Sequence, residues 1–182
     1  MNQCQTCKDC CKFEEKDAYY APIFTQEELT KIKEKKGNNN TFFPFKNSRN
    51  IFQIKLVKSK HSKILACPYL NEETHLCEIY EIRPIDCKIW PFLFMNSDNK
   101  DKTLLACWDK DACPKTDKMT QEEYNKYLSE QEEELSKMSM PEFIKKYPEY
   151  IWDYEPYTIT IKELSKQPQP DTKIDKIPQD KK

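Results

Sequence analysis

Nine of the 182 residues are cysteine, and their order is far from scattered. Residues 4–11 read Cys4-Gln5-Thr6-Cys7-Lys8-Asp9-Cys10-Cys11; after a long gap come Cys67, Cys77 and Cys87, evenly spaced, and then Cys107 and Cys113. Two residues between cysteines let one tight turn present both thiolates to one metal, which is why C-x2-C recurs in zinc and iron–sulfur sites alike. A C-x2-C-x2-C run with an adjacent thiol and five further cysteines therefore points to metal ligation. The first three cysteines have ferredoxin spacing, and Cys67-Pro68 and Cys113-Pro114 repeat the Cys-Pro that closes ferredoxin runs, so a distant cysteine could complete a 4Fe-4S cluster. Zinc is the alternative, since eight thiolates suffice for two closed tetrathiolate sites. Neighbouring side chains diverge by about 100° in a helix and about 180° in a strand. Cys10 and Cys11 are thus not expected to share one mononuclear site: one turns to a second metal, bridges, or packs. His75, two residues before Cys77, is a further candidate ligand, although a hydrogen-bonded loop histidine is the commoner case; His61 reads as exposed.

Other chemistries are disfavoured by what the chain lacks. Its one glycine, Gly37, compares with about thirteen at average usage. With no Gly-x-Gly there is no P-loop or dinucleotide fingerprint, since those loops need residues without Cβ where the backbone approaches phosphate. No Ser/His/Asp triad, paired-carboxylate site or Cys/His nucleophile arrangement can be singled out. A net charge of −1 without a basic stripe argues against nucleic acid. Apolar clusters such as Ile89 to Met95 fall far short of the roughly 20 residues that span a bilayer, so no membrane segment is expected. The first residues lack a basic region followed by an apolar run, which argues against a cleaved secretory signal. The expected compartment is the cytoplasm, where thiols stay reduced and clustered cysteines read as metal or redox sites, not as a disulfide framework. Of thirty basic residues only Arg49 and Arg83 are arginine, and lysine cannot reproduce the planar fork of a guanidinium.

The elements that must position these cysteines are short. Thr25 and Glu28 form a capping box, with Phe24 and Leu29 as a hydrophobic staple. A helix of about three turns should follow, ended by Gly37 as a left-handed C-terminal residue. Residues 51–57 and 63–67 read as a hairpin turning at Ser59–Ser62. A further strand pair, Phe92–Met95 and Thr103–Ala106, flanks the Ser97–Lys102 turn. Between them Pro84 breaks any long helix, leaving short turns around the ligands. Thr120 and Glu123 form a second capping box, over an apolar stripe of Tyr124, Tyr127, Leu128, Leu135 and Met138. That stripe reads as core packing, and the acids Glu130 and Glu132 to Glu134 as a solvated face. Ser139 and Glu142 repeat the capping signature over a short helix ended by Pro148. Beyond Leu164 the chain is Pro, Gln, Lys and Asp with almost nothing to bury.

The cysteine run, with Cys67-Pro68-Tyr69-Leu70, the block Cys77-Glu78-Ile79-Tyr80-Glu81-Ile82-Arg83-Pro84-Ile85-Asp86-Cys87 and Trp90-Pro91-Phe92, resembles the YkgJ-type cysteine-cluster family. That family is described as zinc- or iron-chelating, and flagellin lysine N-methylases are related to it. The resemblance covers about residues 4–115. It implies metal ligation by Cys4, Cys7, Cys10, Cys11, Cys67, Cys77 and Cys87, with Cys113 the better match to an eighth position and Cys107 its rival. Lys88 stands where the family commonly has arginine, and Trp90 where it has Phe or Tyr, which preserves an aromatic wall. Arg83 keeps the family's Arg-Pro and could offset clustered thiolate charge, hold Glu81 or Asp86, or form an ordinary surface ion pair.

The expectation is thus an α+β protein: a small irregular metal-centred domain of short hairpins and helices (1–117), a helical extension (118–164) and a loose tail (165–182). Its cofactor is an iron–sulfur cluster, or zinc in a structural module that binds an unidentified protein partner. A lysine N-methylase-like activity ranks below both, for want of a recognisable S-adenosylmethionine loop.

Overall fold

In the computed structural model, which describes residues 9–37 and 40–166, both capping boxes form as the sequence predicts. At the first, the Thr25 hydroxyl accepts from the Glu28 N–H at 3.2 Å, while the Glu28 carboxylate accepts from the Thr25 N–H at 2.9 Å. Helix α1 (Gln26–Lys36) follows and closes at Gly37, whose φ of 76° is the left-handed conformation that favours glycine. Its staple residues Phe24 and Leu29 are buried in one cluster. Among the described residues four more α-helices come later: α2 (Ile85–Ile89), α3 (Pro114–Asp117), α4 (Gln121–Ser136) and α5 (Met140–Lys146). Thr120 and Glu123 cap α4 with the same pair of bonds, at 3.2 and 2.8 Å. Ser139 precedes α5 but its side chain makes no capping bond.

The strands begin short. They are β1 (Lys12–Phe13), β2 (Ile23–Thr25), β3 (Phe42–Pro44), β4 (Ile51–Ile54), β5 (Val57–Lys58), β6 (Leu65–Ala66), β7 (Leu70–Asn71) and β8 (Leu76–Cys77). Longer ones follow: β9 (Phe92–Asn96) and β10 (Lys102–Trp108), then β11 (Ile151–Trp152) and β12 (Thr158–Lys166). Among the described residues they make three small sheets, β1-β6-β5, β2-β4-β3 and β7-β8, and one four-stranded sheet, β11-β9-β10-β12. The molecule is α+β, as expected.

The four-stranded sheet is the main core. Strands β9 and β10 pair antiparallel from Thr103↔Asn96 to Cys107↔Phe92 around the predicted Ser97–Lys102 turn. Successive strand residues face opposite sides, and Phe92 to Met95 are all buried, so β9 is covered on both faces. Tyr124, Tyr127 and Leu135 of α4 are buried in this core, and Leu128 and Met138 pack against it.

Two expectations need correction. Residues 51–57 do not pair as one strand with 63–67: β4 lies between β2 and β3, and only Val57–Lys58 turns back on Leu65–Ala66. Burial separates the two pieces, since Ile51 and Ile54 are fully buried whereas Val57 is exposed. Nor are residues 118–164 helical throughout: after α5 the chain adds β11 parallel to β9 and β12 antiparallel to β10. Ile161 and Leu164 thereby reach the core. Of the expected loose tail, residues 167–182 lie outside the described residues.

Candidate metal centre

Cys10 and Cys11 close a 3-10 turn (Asp9–Cys11) that feeds directly into β1. Because β1 pairs antiparallel with β6, the residue after β6 is brought back to the residue before β1: the Cys67 N–H donates to the Cys11 carbonyl at 2.9 Å. Cys67 then starts a turn, its carbonyl accepting from the Leu70 N–H at 2.9 Å, and the β7–β8 pair sets Cys77 across from Leu70. Cys87 lies on α2, whose start is clamped by residues of β2 and α1. The Glu28 carboxylate accepts from the Ile85 N–H at 2.7 Å, and the Asp86 carboxylate accepts from the Ile23 N–H at 3.1 Å.

These four pieces of chain bring Cys10, Cys11, Cys67, Cys77 and Cys87 to the wall of one narrow cavity of about 40 Å³, together with Arg83. Cys10 and Cys11 do not diverge as neighbours in a regular helix or strand would: their thiols are close enough to share a hydrogen bond. A wider cavity of about 400 Å³ adjoins it and shares Cys10 and Cys87; Cys113, Tyr20, Trp90 and Trp108 complete much of its wall. Cys113 precedes α3, with its carbonyl accepting from the buried Thr116 hydroxyl at 3.0 Å. Cys107 takes no part in either wall. It is fully buried in the core of the four-stranded sheet, its Sγ 3.6 Å from the Tyr124 hydroxyl. Cys4 and Cys7 lie outside the described residues. His75 is exposed at the tip of the β7–β8 hairpin, and His61 stands 3.4 Å from Glu73 at the surface.

The surroundings of Cys10, Cys67 and Cys87 oppose bare thiolate. Burial pushes Cys67 up to about 12 and Cys87 well above the ordinary thiol value, with the Asp86 carboxyl adding to the latter. The hydrogen bond that the Cys10 thiol shares with Cys11, with Cys10 as the donor, and then burial, raise Cys10. A thiol so placed stays protonated near neutrality and is a poor nucleophile. It ionises readily only when a cation offsets its charge, as a coordinated metal does. No disulfide involves Cys10, Cys11, Cys67, Cys87, Cys107 or Cys113.

Do these residues fit a metal? Among the described residues no three Cys, His, Asp or Glu side chains converge at metal-binding distance. The donor set itself is soft sulfur, the kind that selects zinc and iron–sulfur clusters, and the wall carries a matching positive group. The Arg83 guanidinium rests on the Tyr80 ring at 3.9 Å, and its Nη1 donates to the Tyr80 carbonyl at 2.8 Å. Its Nε is buried without a hydrogen-bond partner. An unpartnered donor on a wall of thiols suits an anionic sulfur ligand, so the residues fit.

Sequence reasoning did not find Tyr20 and Trp108 on the wider cavity, nor Glu28 and Asp86 as the clamps on α2. The only signals were Trp108 beside Cys107 and Asp86 beside Cys87. Glu28 was legible only as a helix cap.

Among the described residues no helix is long and apolar enough to cross a membrane. No curated protein and no solved structure matches the chain. A family model, CxxCxxCC, described as "Putative zinc- or iron-chelating domain", matches residues 3–127. The match spans eight positions from Cys4 to Cys113 that the resemblance marked as ligands and runs beyond the expected limit near 115 into α4. The shared description is metal binding through zinc or iron, and the chain belongs to this CxxCxxCC family.

Proposed function

We propose that this chain is an iron–sulfur protein whose cluster is held by cysteines drawn from Cys4, Cys7, Cys10, Cys11, Cys67, Cys77, Cys87 and Cys113. The observation that carries this reading is the pair of adjoining cavities sharing Cys10 and Cys87. Six thiols stand along this joint wall, more than the four a tetrahedral ion uses, and the wider cavity leaves room beside them for a polynuclear group. When bound, such a cluster supplies one-electron chemistry, with a potential set by its type, net charge, hydrogen bonds to its sulfurs and solvent exposure. The protein's own residues hold the thiols in place through the β1–β6 ladder, the β7–β8 pair and the clamps on α2. In the cell the protein would work in the reducing cytoplasm, without nucleic acid.

The narrow cavity favours a second reading. At about 40 Å³ it has room for a single ion and little else, as a structural zinc site would. Zinc would then convert binding free energy into folding free energy, leaving the surface to bind a protein partner.

One preparation separates them. Protein purified without oxygen should be brown and yield iron together with acid-labile sulfide. A colourless preparation with stoichiometric zinc would overturn the cluster.

A further inference from the structure

Arg83 is one of only two arginines in a chain of thirty basic residues, and its side chain is used in an unusual way. The guanidinium pairs with neither Glu81 nor Asp86. It is stacked on Tyr80 and tied to the Tyr80 carbonyl through Nη1, so its plane is fixed. The carboxylate of Asp86 is engaged by the Ile23 N–H instead. Among the described residues Arg83 Nε is the one buried side-chain nitrogen or oxygen without a hydrogen-bond partner. A guanidinium is always protonated and has no acceptor, so Nε always carries a hydrogen to donate. Leaving such a donor buried and unpaired is costly, the more so for a charged group. The surroundings supply no backbone carbonyl to it. The acceptor chemistry of the cavity wall it shares is sulfur, from Cys10, Cys11, Cys67, Cys77 and Cys87, none of which hydrogen-bonds Nε as the thiols stand.

A protonated thiol is a weak acceptor, whereas a thiolate bound to a metal keeps lone pairs and negative charge. Hydrogen bonds to charged groups are the strong ones. We propose that the Arg83 Nε–H donates a hydrogen bond to a metal-bound cysteine sulfur, making Arg83 a positioning residue of the metal centre. This rests on the metal-binding reading and applies to either zinc or iron. Outer-shell partners of this kind orient ligands and tune the metal, and hydrogen bonds to sulfur are among the features that set cluster potential.

The decisive feature is the ε position of the side chain. Glutamine places an N–H donor at that position without charge. Lysine and methionine place a methylene and a methyl group there, and lysine keeps the positive charge. The proposal therefore ranks Arg83→Gln above Arg83→Lys, whereas a packing or simple charge role ranks lysine first. Each variant, and the parent protein, is loaded with cobalt(II), which reports thiolate ligation through sulfur-to-cobalt charge-transfer bands, and then titrated with a competing chelator.

Loss of the N–H raises the energy of the sulfur lone pair. Arg83→Lys and Arg83→Met should shift the charge-transfer bands to longer wavelength and bind cobalt about 10–100-fold more weakly. Arg83→Gln should stay close to the parent in both respects. Parent-like bands and affinity in Arg83→Lys, or a glutamine variant no better than lysine, would overturn the role of Nε. A parent protein that binds no cobalt would overturn the metal reading and this inference with it. If a variant loses its helical and sheet content without metal, the charge-transfer positions of the remaining folded variants still decide the ranking.

Discussion

Strands β9, β10 and β12 run five, seven and nine residues, whereas the strands next to the cysteines, β1, β6, β7 and β8, run two each. Among the described residues, the four-stranded sheet lies in a cluster of twenty buried side chains; the cluster around Cys67 and α1 has eight. A two-residue ladder contributes very few backbone bonds, and isolated short hairpins are marginal in water. Regions with small cores are usually held by a metal or a disulfide. The contrast teaches a division of labour: one region is fixed by burial, and the other fixes its cysteines with just enough backbone to be completed by a metal.

The largest effect should come from removing the metal. A strong chelator under reducing conditions should strip hydrogen-exchange protection from β1 and from β6 to β8 while β9 and β10 keep theirs. Structural zinc contributes on the order of 10 kcal/mol to small zinc-finger peptides, so the loss should be plain. Simultaneous loss of protection in both regions, or in neither, would erase the distinction drawn here. Two cysteine substitutions sharpen it. Cys113→Ser should lower the metal content, whereas Cys107→Ser should leave it unchanged and act only through the Tyr124 contact in the sheet core. Metal analysis of the purified variants decides between them.

Leu105→Ala is the converse experiment. Leu105 is fully buried in the sheet core, so truncation should cost about 2–5 kcal/mol, read by denaturant unfolding, with metal stoichiometry unchanged. If the variant also loses metal, the two regions do not act separately.

This division also explains what could be read from the amino-acid order. Both capping boxes, the Gly37 stop, the β9–β10 pair and the α4 stripe were legible because each depends on residues close in sequence. Strand β12 carried a signal in the alternation Thr158-Ile159-Thr160-Ile161, which the assignment of 118–164 to one helical extension passed over. Strand β4 was recognised as a strand, yet its partners were not, since pairing with β2 and β3 is decided by where Ile51 and Ile54 find a core. For the site, residue types and spacing picked out the cysteines. That Cys10 and Cys11 line one cavity, that Cys107 belongs to the sheet and that Glu28 reaches Ile85 are long-range or irregular features no local pattern encodes.

Glu28 is where the two regions meet in one side chain. One carboxylate oxygen caps α1 and lies 3.4 Å from the Tyr150 hydroxyl; the other accepts from Ile85 at the start of the helix carrying Cys87. Glu28→Ala leaves the buried Ile85 N–H unpaired, an expected cost of about 1–3 kcal/mol. It should also speed metal loss to a chelator, because α2 loses one of its two clamps. A variant that is destabilised but releases metal at the parent rate would reduce Glu28 to a cap.

The smallest effects give the most controlled test, because the two capping boxes are nearly superimposable in their bonds. Thr25→Ala and Thr120→Ala each remove one hydroxyl acceptor from an N3 amide at 3.2 Å, and each should cost about 1 kcal/mol. Their surroundings differ. The Thr25 hydroxyl also donates to the Glu28 carboxylate at 3.1 Å, so it helps to hold the side chain that clamps α2. Thr120 and Glu123 sit at the surface and hold only α4. Thr25→Ala should therefore hasten metal release in a chelator competition, and Thr120→Ala should not, although thermal unfolding shifts both by similar amounts. Equal release rates would mean that the clamp on α2 tolerates a loosened Glu28, and that Thr25 serves α1 alone.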